Sequence, residues 1–322
     1  MTSQDETTRT ADRLKDAFGA AADVMTASDS PVWGAAADVI TSGHSLVRIR
    51  GSRIGHPWRW LVPLTAAASV AVIALVSVFV GHSARSTSGS FTQVFSGVGK
   101  VHLVNVPAPD PAVLNSPGAR AAESRVVKIL GSAPECGRGM EGSGFVYAPQ
   151  HVITNAHVVA GVTRGQTVTT ANGVTYRARV VFYDPRIDIA VLYVPGLNLK
   201  PLRLAGRASN GSDAVVAGYP LDHSLTAMPA RIGQVLPVKS PDIYSSGQVD
   251  RQVYQIRGVV EPGNSGGPLL SPAGTVDGVV LGVKVGVPDT GFVLTASEVQ
   301  ADANAGANAT VPVSTQGCAS GS

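Results

Sequence analysis

A chain of 322 residues with 44% hydrophobic and 15% charged residues can bury one large or two small cores, and that composition excludes an intrinsically disordered protein. The formal charge is only +3 and the 25 basic residues are scattered along the chain, so the electrostatic footprint of a nucleic-acid binder is absent. With 36 glycines, 21 prolines and short valine-rich runs between them, the chain favours many short strands joined by turns over a helical bundle.

The first 59 residues are rich in Ala, Ser, Thr and Asp. Leu14, Phe18 and Met25 fall roughly on one helical face, so a short amphipathic helix is compatible with the pattern, within a tail expected to be largely flexible. Leu61 to Gly81 is a charge-free run of about 20 residues, long enough to cross a bilayer as a helix. Arg48, Arg50, Arg53 and Arg59 crowd its N-terminal side, and Trp58 and Trp60 sit where an interfacial belt would lie. This pattern predicts one transmembrane anchor over 60–82 with the N-terminus cytoplasmic. A buried core helix fits less well, because Ala, Val and Leu occupy the whole circumference. A cleaved signal peptide also fits less well, because a long polar segment precedes the run and His82-Ser83-Ala84 is a poor cleavage site. From 83 to 122, Pro107, Pro109, Pro111 and Pro117 among small residues read as an extended extracytoplasmic spacer.

A folded domain is expected over 123–322. Strand-like runs occur at Val126–Leu130, Gly144–Tyr147, Val152–Thr154, Thr167–Thr170, Val174–Phe182, Ile189–Val194, Ala214–Tyr219, Arg231–Val238, Val253–Ile256, Val279–Val285 and Phe292–Leu294. Asn172-Gly173 predicts a hairpin whose two central residues both have positive φ. Thr295-Ala296-Ser297-Glu298 is a capping box that opens a terminal helix, with Gly306 as its closing residue. The only two cysteines, Cys136 and Cys318, lie on the predicted outer side, where an oxidising compartment favours one disulfide over two free buried thiols. They supply too few ligands for a metal site.

The strongest chemical motif is Glu261-Pro262-Gly263-Asn264-Ser265-Gly266-Gly267-Pro268. A nucleophilic serine needs an exposed hydroxyl and backbone N–H groups converging on the oxygen that becomes negative, and glycines permit the crowded turn that supplies both. The donors predicted are the N–H groups of Gly263 and Ser265. By itself such a turn is more often a plain loop, so it needs partners. In Thr154-Asn155-Ala156-His157-Val158-Val159 a histidine stands at a strand end, with His151 and His223 as rivals inside the domain. In Asp188-Ile189-Ala190-Val191-Leu192 a carboxylate precedes an apolar strand, whereas its competitor Asp184 starts an Asp-Pro turn.

His157, Asp188 and Ser265, with their local motifs and in this chain order, resemble the chymotrypsin-like serine proteases of the trypsin and HtrA branches. More narrowly, Glu141 to Pro149, Thr154 to Gly161 and Thr290 to Ala296 are similar to the actinobacterial acid-resistance periplasmic protease family, whose paired cysteines Cys136 and Cys318 also resemble. The resemblance implies a mostly β, double-barrel fold with a short C-terminal helix. It implies a membrane-anchored endopeptidase using the His157, Asp188, Ser265 triad, without metal or cofactor, on a protein or peptide substrate, in envelope or acid stress. The alternative from another class is a catalytically silent binding scaffold of the same fold.

Two departures qualify the resemblance, and two single positions bear on activation and specificity. That family carries four membrane helices where this chain shows one, and HtrA enzymes append PDZ modules for which the residues after Cys318 leave no room. Asn264 replaces the aspartate that pairs with a freed N-terminal ammonium in the trypsin branch, so activity is expected without such an insertion. Val259, six residues before Ser265, lines the base of the primary pocket in this fold, so cleavage after Lys or Arg is not expected.

Overall fold

The computed structural model describes residues 104–283, 287 and 289–319, all within one compact unit. The tail, the apolar run 61–81 and the start of the spacer lie outside the described residues. No helix among the described residues is long and apolar enough to cross a membrane.

Among the described residues thirteen strands, β1 to β13, form two sheets. The first contains β1 (Val126–Ala133), β2 (Arg138–Ala148), β3 (His151–Thr154), β4 (Arg164–Thr170), β5 (Thr175–Arg177), β6 (Arg179–Asp184) and β7 (Ile189–Tyr193), in the spatial order β5-β4-β1-β2-β3-β7-β6. The second contains β8 (Asp213–Gly218), β9 (Thr226–Pro241), β10 (Gln248–Gly258), β11 (Pro268–Leu270), β12 (Val276–Val283) and β13 (Thr290–Thr295), and closes as a barrel, β10-β13-β12-β11-β8-β9. The expected pair of barrels is thus one closed barrel and one seven-stranded sheet whose end strands β5 and β6 are not hydrogen-bonded to each other. All pairing between named strands is antiparallel.

Period-two alternation divides the apolar residues between clusters. In β1, Val127 and Ile129 face the core of the first sheet, while Val126 joins the cluster between the two sheets. In β8, Ala214 and Val216 face the inside of the second barrel, while Val215 and Ala217 join that shared cluster. Strands buried on both faces explain why the sequence shows continuous apolar runs here, and those runs cannot reveal which residue faces which core.

Four local expectations were sharpened. The run Val174–Phe182 divides into β5 and β6 at Ala178, and β11 was not foreseen because three residues carry no periodicity. The Asn172-Gly173 hairpin is present, but only Gly173 has positive φ, 84°. The Gly173 N–H bonds Thr170 O at 2.8 Å, giving a longer loop that ends on a left-handed glycine in place of the tight two-residue turn. The C-terminal helix α3 is Ala296–Gly306, counted after α1 (Pro117–Glu123) and the single turn α2 (Ala156–Val159), and Thr295 Oγ1 caps it by accepting from Glu298 N at 3.1 Å. Gly306 is its last residue but does not close it as a left-handed cap, and it is glycine for a packing reason, since a Cβ there would lie 2.5 Å from Val191 Cγ2.

The stretch 104–122, read as spacer, is folded onto the domain. The Gln255 side chain pairs with both Val104 N (3.0 Å) and Val104 O (2.9 Å), and Arg257 donates to Val106 O at 2.9 Å. Pro111 and Pro117 each begin a helical turn, where a missing N–H costs nothing, and Val113, Ala119 and Ala122 enter the shared core. Two of the four prolines that look like spacer in sequence, Pro111 and Pro117, are therefore helix starts.

Candidate active site

His157 is carried by α2, directly after β3, and Asp188 by the turn joining β6 to β7. Asp184 builds that turn: its carboxylate accepts from Arg186 N at 2.7 Å and its carbonyl accepts from Asp188 N at 3.0 Å. Asp188 is fully buried at φ 71°, a left-handed conformation that aspartate tolerates better than most residues. Its Oδ2 lies 2.7 Å from His157 Nδ1 and its Oδ1 accepts from His157 N at 2.8 Å, so one carboxylate fixes both the ring and the start of the helix that holds it. An ionised carboxylate can only accept, so Nδ1 carries the proton and Nε2 presents a lone pair.

The rival residues serve other roles. His151 is buried with both ring nitrogens facing carbonyl oxygens, Pro149 O at 2.7 Å and Ala309 O at 2.8 Å. His223 is exposed in the loop after β8.

The loop holding Ser265 runs between β10 and β11, and its hydrogen bonds can be counted peptide by peptide. Pro262 O accepts from Leu221 N (2.8 Å), Gly263 O from Ser143 Oγ (2.6 Å), Asn264 O from Gly267 N (3.0 Å), and Ser265 O from Ser143 N (2.9 Å). Asn264 N donates to Glu261 O (3.0 Å) and Gly266 N to Val280 O (2.9 Å). Within 262–267, two N–H groups have no acceptor among the described residues, those of Gly263 and Ser265. Each belongs to a trans peptide whose carbonyl is already anchored, so the direction of each N–H is set. Gly263 (φ 94°) and Gly266 (φ 82°) cannot be replaced here: a Cβ would lie 2.3 Å from Tyr219 O in the first case and 2.3 Å from Ser143 O in the second. The close approach of Gly266 to Asn155 N, 2.9 Å from an ideal Cβ, brings the loop against the residues that lead into His157.

Ser265 is 2% exposed, and its Oγ has no hydrogen-bond partner among the described residues. The structure thus brings the base and its carboxylate together, and places the serine loop beside them without the hydrogen bond from Ser265 Oγ to His157 Nε2. Such bonds are often long or unmade before substrate arrives. Val259 follows β10 and is 38% exposed, while Val260 is buried against Gly291.

Three contributors escaped the sequence reading. Asn155 Nδ2 donates to Asp188 O at 2.8 Å. Arg251, 2% exposed on β10, reaches across to donate to Arg186 O in the turn of Asp188, as well as to Ser240 Oγ and Pro241 O. Burial lowers its guanidinium pKa from the ordinary value, opposed first by the charge of Asp188 and then by that of Asp242. Ser143 is the third. Asn155 and Ser143 lie within stretches quoted above, but the atoms they serve are distant in sequence, and Arg251 lies in no motif.

Cys136 and Cys318 form a disulfide, Cα–Cα 5.6 Å, between the turn after β1 and the C-terminal segment. Among the described residues no cluster of His, Cys, Asp or Glu could hold a metal ion.

Residues 142–283 match the trypsin-like peptidase domain family. The chain is 44% identical over 240 residues to the serine protease Rv3671c of Mycobacterium tuberculosis, covering 74% of this chain and 60% of the relative's length. It is 32% identical over 161 residues to the serine protease Do-like HtrB of Bacillus subtilis, covering 47% of this chain and 34% of that protein. The crystal structure of the Rv3671c protease in its active form superimposes with a TM-score of 0.66 at 46% identity, over 69% of this chain and 97% of that one. Its inactive form gives 0.57 at 45% identity, over 63% and 99%. With the described strands, the buried His157–Asp188 pair and the serine loop agreeing with these matches, the chain belongs to the trypsin-like, HtrA-related family of serine proteases.

Proposed function

We propose that this protein is an extracytoplasmic serine endopeptidase, held at the membrane by the run 61–81. The observation that carries the reading is the turn 262–265 of the catalytic loop, where the carbonyls of Pro262, Gly263, Asn264 and Ser265 are all anchored and the Gly263 and Ser265 N–H groups are left to meet a developing oxyanion. Ser265 Oγ attacks the scissile carbonyl as its proton passes to His157 Nε2, and Asp188 stabilises the imidazolium. The tetrahedral oxygen is received by the two amides, the C–N bond breaks as His157 returns the proton to the leaving amine, and water then hydrolyses the acyl-enzyme. The greater likeness to the active form of the mycobacterial protease supports this reading.

Val259 offers no carboxylate to a basic side chain, so small or apolar residues are the preferred residues before the cleaved bond. Asn264 makes activity independent of an inserted N-terminal ammonium. A role in envelope or acid stress follows from the family, with a protein of the envelope as substrate.

A silent scaffold is the second reading, favoured by the unpartnered Ser265 Oγ. One experiment separates them: treat the detergent-solubilised full chain with a fluorophosphonate probe and assay casein or peptide hydrolysis. Labelling at Ser265, with Ser265→Ala lowering kcat by about four to six orders of magnitude, is the expected outcome. Absence of labelling and turnover over a range of pH values would establish the scaffold.

A further inference from the structure

We propose that Ser143 is the positioning residue of the oxyanion-binding amides, acting on the reaction through the catalytic loop without touching substrate. The inference rests on the protease reading above and adds to it a residue outside the triad and outside the catalytic loop.

Ser143 lies in β2, on the first sheet, and is fully buried. All its polar groups are used. Its Oγ donates to Gly263 O at 2.6 Å and accepts from Tyr219 N at 2.8 Å. Its N–H donates to Ser265 O at 2.9 Å and its carbonyl accepts from Thr154 Oγ1 at 2.7 Å. The hydroxyl has one possible orientation, because a main-chain N–H can only donate and a carbonyl can only accept. Two peptides of the catalytic loop, 263–264 and 265–266, are therefore fastened by a single residue of the other sheet. They flank the peptide that carries the Ser265 N–H, and the first adjoins the Gly263 N–H.

The same hydroxyl organises a second anchor. Tyr219 N leads into the turn Pro220–Asp222, where Leu221 (φ 52°, ψ 38°) and Asp222 (φ 58°) are two successive non-glycine residues in the left-handed region. That costly conformation aims Leu221 N at Pro262 O, the carbonyl whose anchoring fixes the Gly263 N–H. Without the Ser143 hydroxyl, Gly263 O and Tyr219 N are both left buried and unpaired, which drives a local rearrangement. Gly263 is the residue best able to rotate, since it lacks a Cβ to oppose other backbone conformations. Rotation there turns its N–H away from the oxyanion while His157 and Asp188 stay in place. The surroundings are built to serine's size: an ideal Cβ on Gly218 would lie 2.8 Å from Ser143 Oγ, and one on Gly267 would lie 3.3 Å from Ser143 Cβ.

The test compares Ser143→Ala with wild type in the full chain. The alanine variant should lose about 10²–10³ in kcat, the scale of one oxyanion donor, with KM held within about threefold. The pH dependence of kcat/KM should not move, because the His157–Asp188 pair is untouched. Affinity for a peptide aldehyde, whose hemiacetal oxygen occupies the same amides, should fall by the same factor as kcat. Ser143→Cys fills the same space with a weak donor, so it should show a smaller loss, and it supplies the comparison if the alanine variant does not fold. Unchanged kcat, a loss confined to KM, or a loss of kcat with aldehyde affinity retained would overturn the proposal. A wild-type chain without labelling or turnover sinks the protease reading and this one with it, whereas a reactive wild type with an equally reactive alanine variant sinks this one alone.

Discussion

The two sheets contribute to the site in opposite ways. The first supplies side chains: His157 and Asp188 stand on the strand-end turns of β3 and β7 and hold each other through two hydrogen bonds. The second supplies main chain: between β10 and β11 the loop offers two amides and a serine whose hydroxyl has no partner among the described residues. In the first sheet, chemistry depends on which side chain is present. In the second, apart from the Ser265 hydroxyl, it depends on side chains being absent, since the loop reaches its shape only where Gly263 and Gly266 lack a Cβ. Ser143 and Arg251 cross the seam in opposite directions, Ser143 bracing the loop from the first sheet and Arg251 bracing the Asp188 turn from the second.

After loss of Ser265 itself, the largest effect expected is on the side-chain half. Asp188→Asn should lower kcat by about 10⁴ at neutral pH, because an amide favours the wrong imidazole tautomer. Steady-state kinetics check this, and a drop no larger than that of Ser143→Ala would erase the contrast between the halves. Next in size is the disulfide, which closes a loop across a separation of 182 residues. Replacing Cys136 and Cys318 by serine should cost up to about 5 kcal/mol in the chain-entropy view, read as a lower urea midpoint. An unchanged midpoint would show that the C-terminal segment is held without it. The loss expected from Ser143→Ala, about 10²–10³ in kcat, then measures how far the main-chain half depends on its neighbour.

The smallest effect concerns pH. Burial pushes the Asp277 carboxyl in β12 up to about 6. Asp302 on α3 is also pushed up to about 6, by burial and then by the charges of Asp184 and Glu298. A folded-state value above the unfolded one, near 3.9, means that the native state binds more protons between about pH 4 and 6. The contribution is therefore most favourable below about pH 4 and is lost as pH rises through about 6, the reverse of ordinary acid denaturation. Asp277→Asn should stabilise the domain at pH 7 by about 2 kcal/mol and flatten its stability profile between pH 4 and 7, as measured by urea unfolding. A variant with an unaltered profile would assign the pH dependence elsewhere.

The sequence by itself determined the β class, most of the strands, the order of His157, Asp188 and Ser265, the turn role of Asp184 and the pairing of the two cysteines. Most of these are legible because they are local, as period-two apolar runs, an Asp-Pro turn and glycines where the backbone must turn tightly, whereas the cysteine pairing followed from there being only two cysteines. Only the tertiary structure decided that the serine hydroxyl has no partner among the described residues, that the prolines at 111 and 117 start docked helical turns, and that Ser143 serves residues 120 positions away. The physical reason is that a buried hydrogen bond depends on which distant atom lies opposite, and strands buried on both faces look alike in sequence whichever core each residue enters.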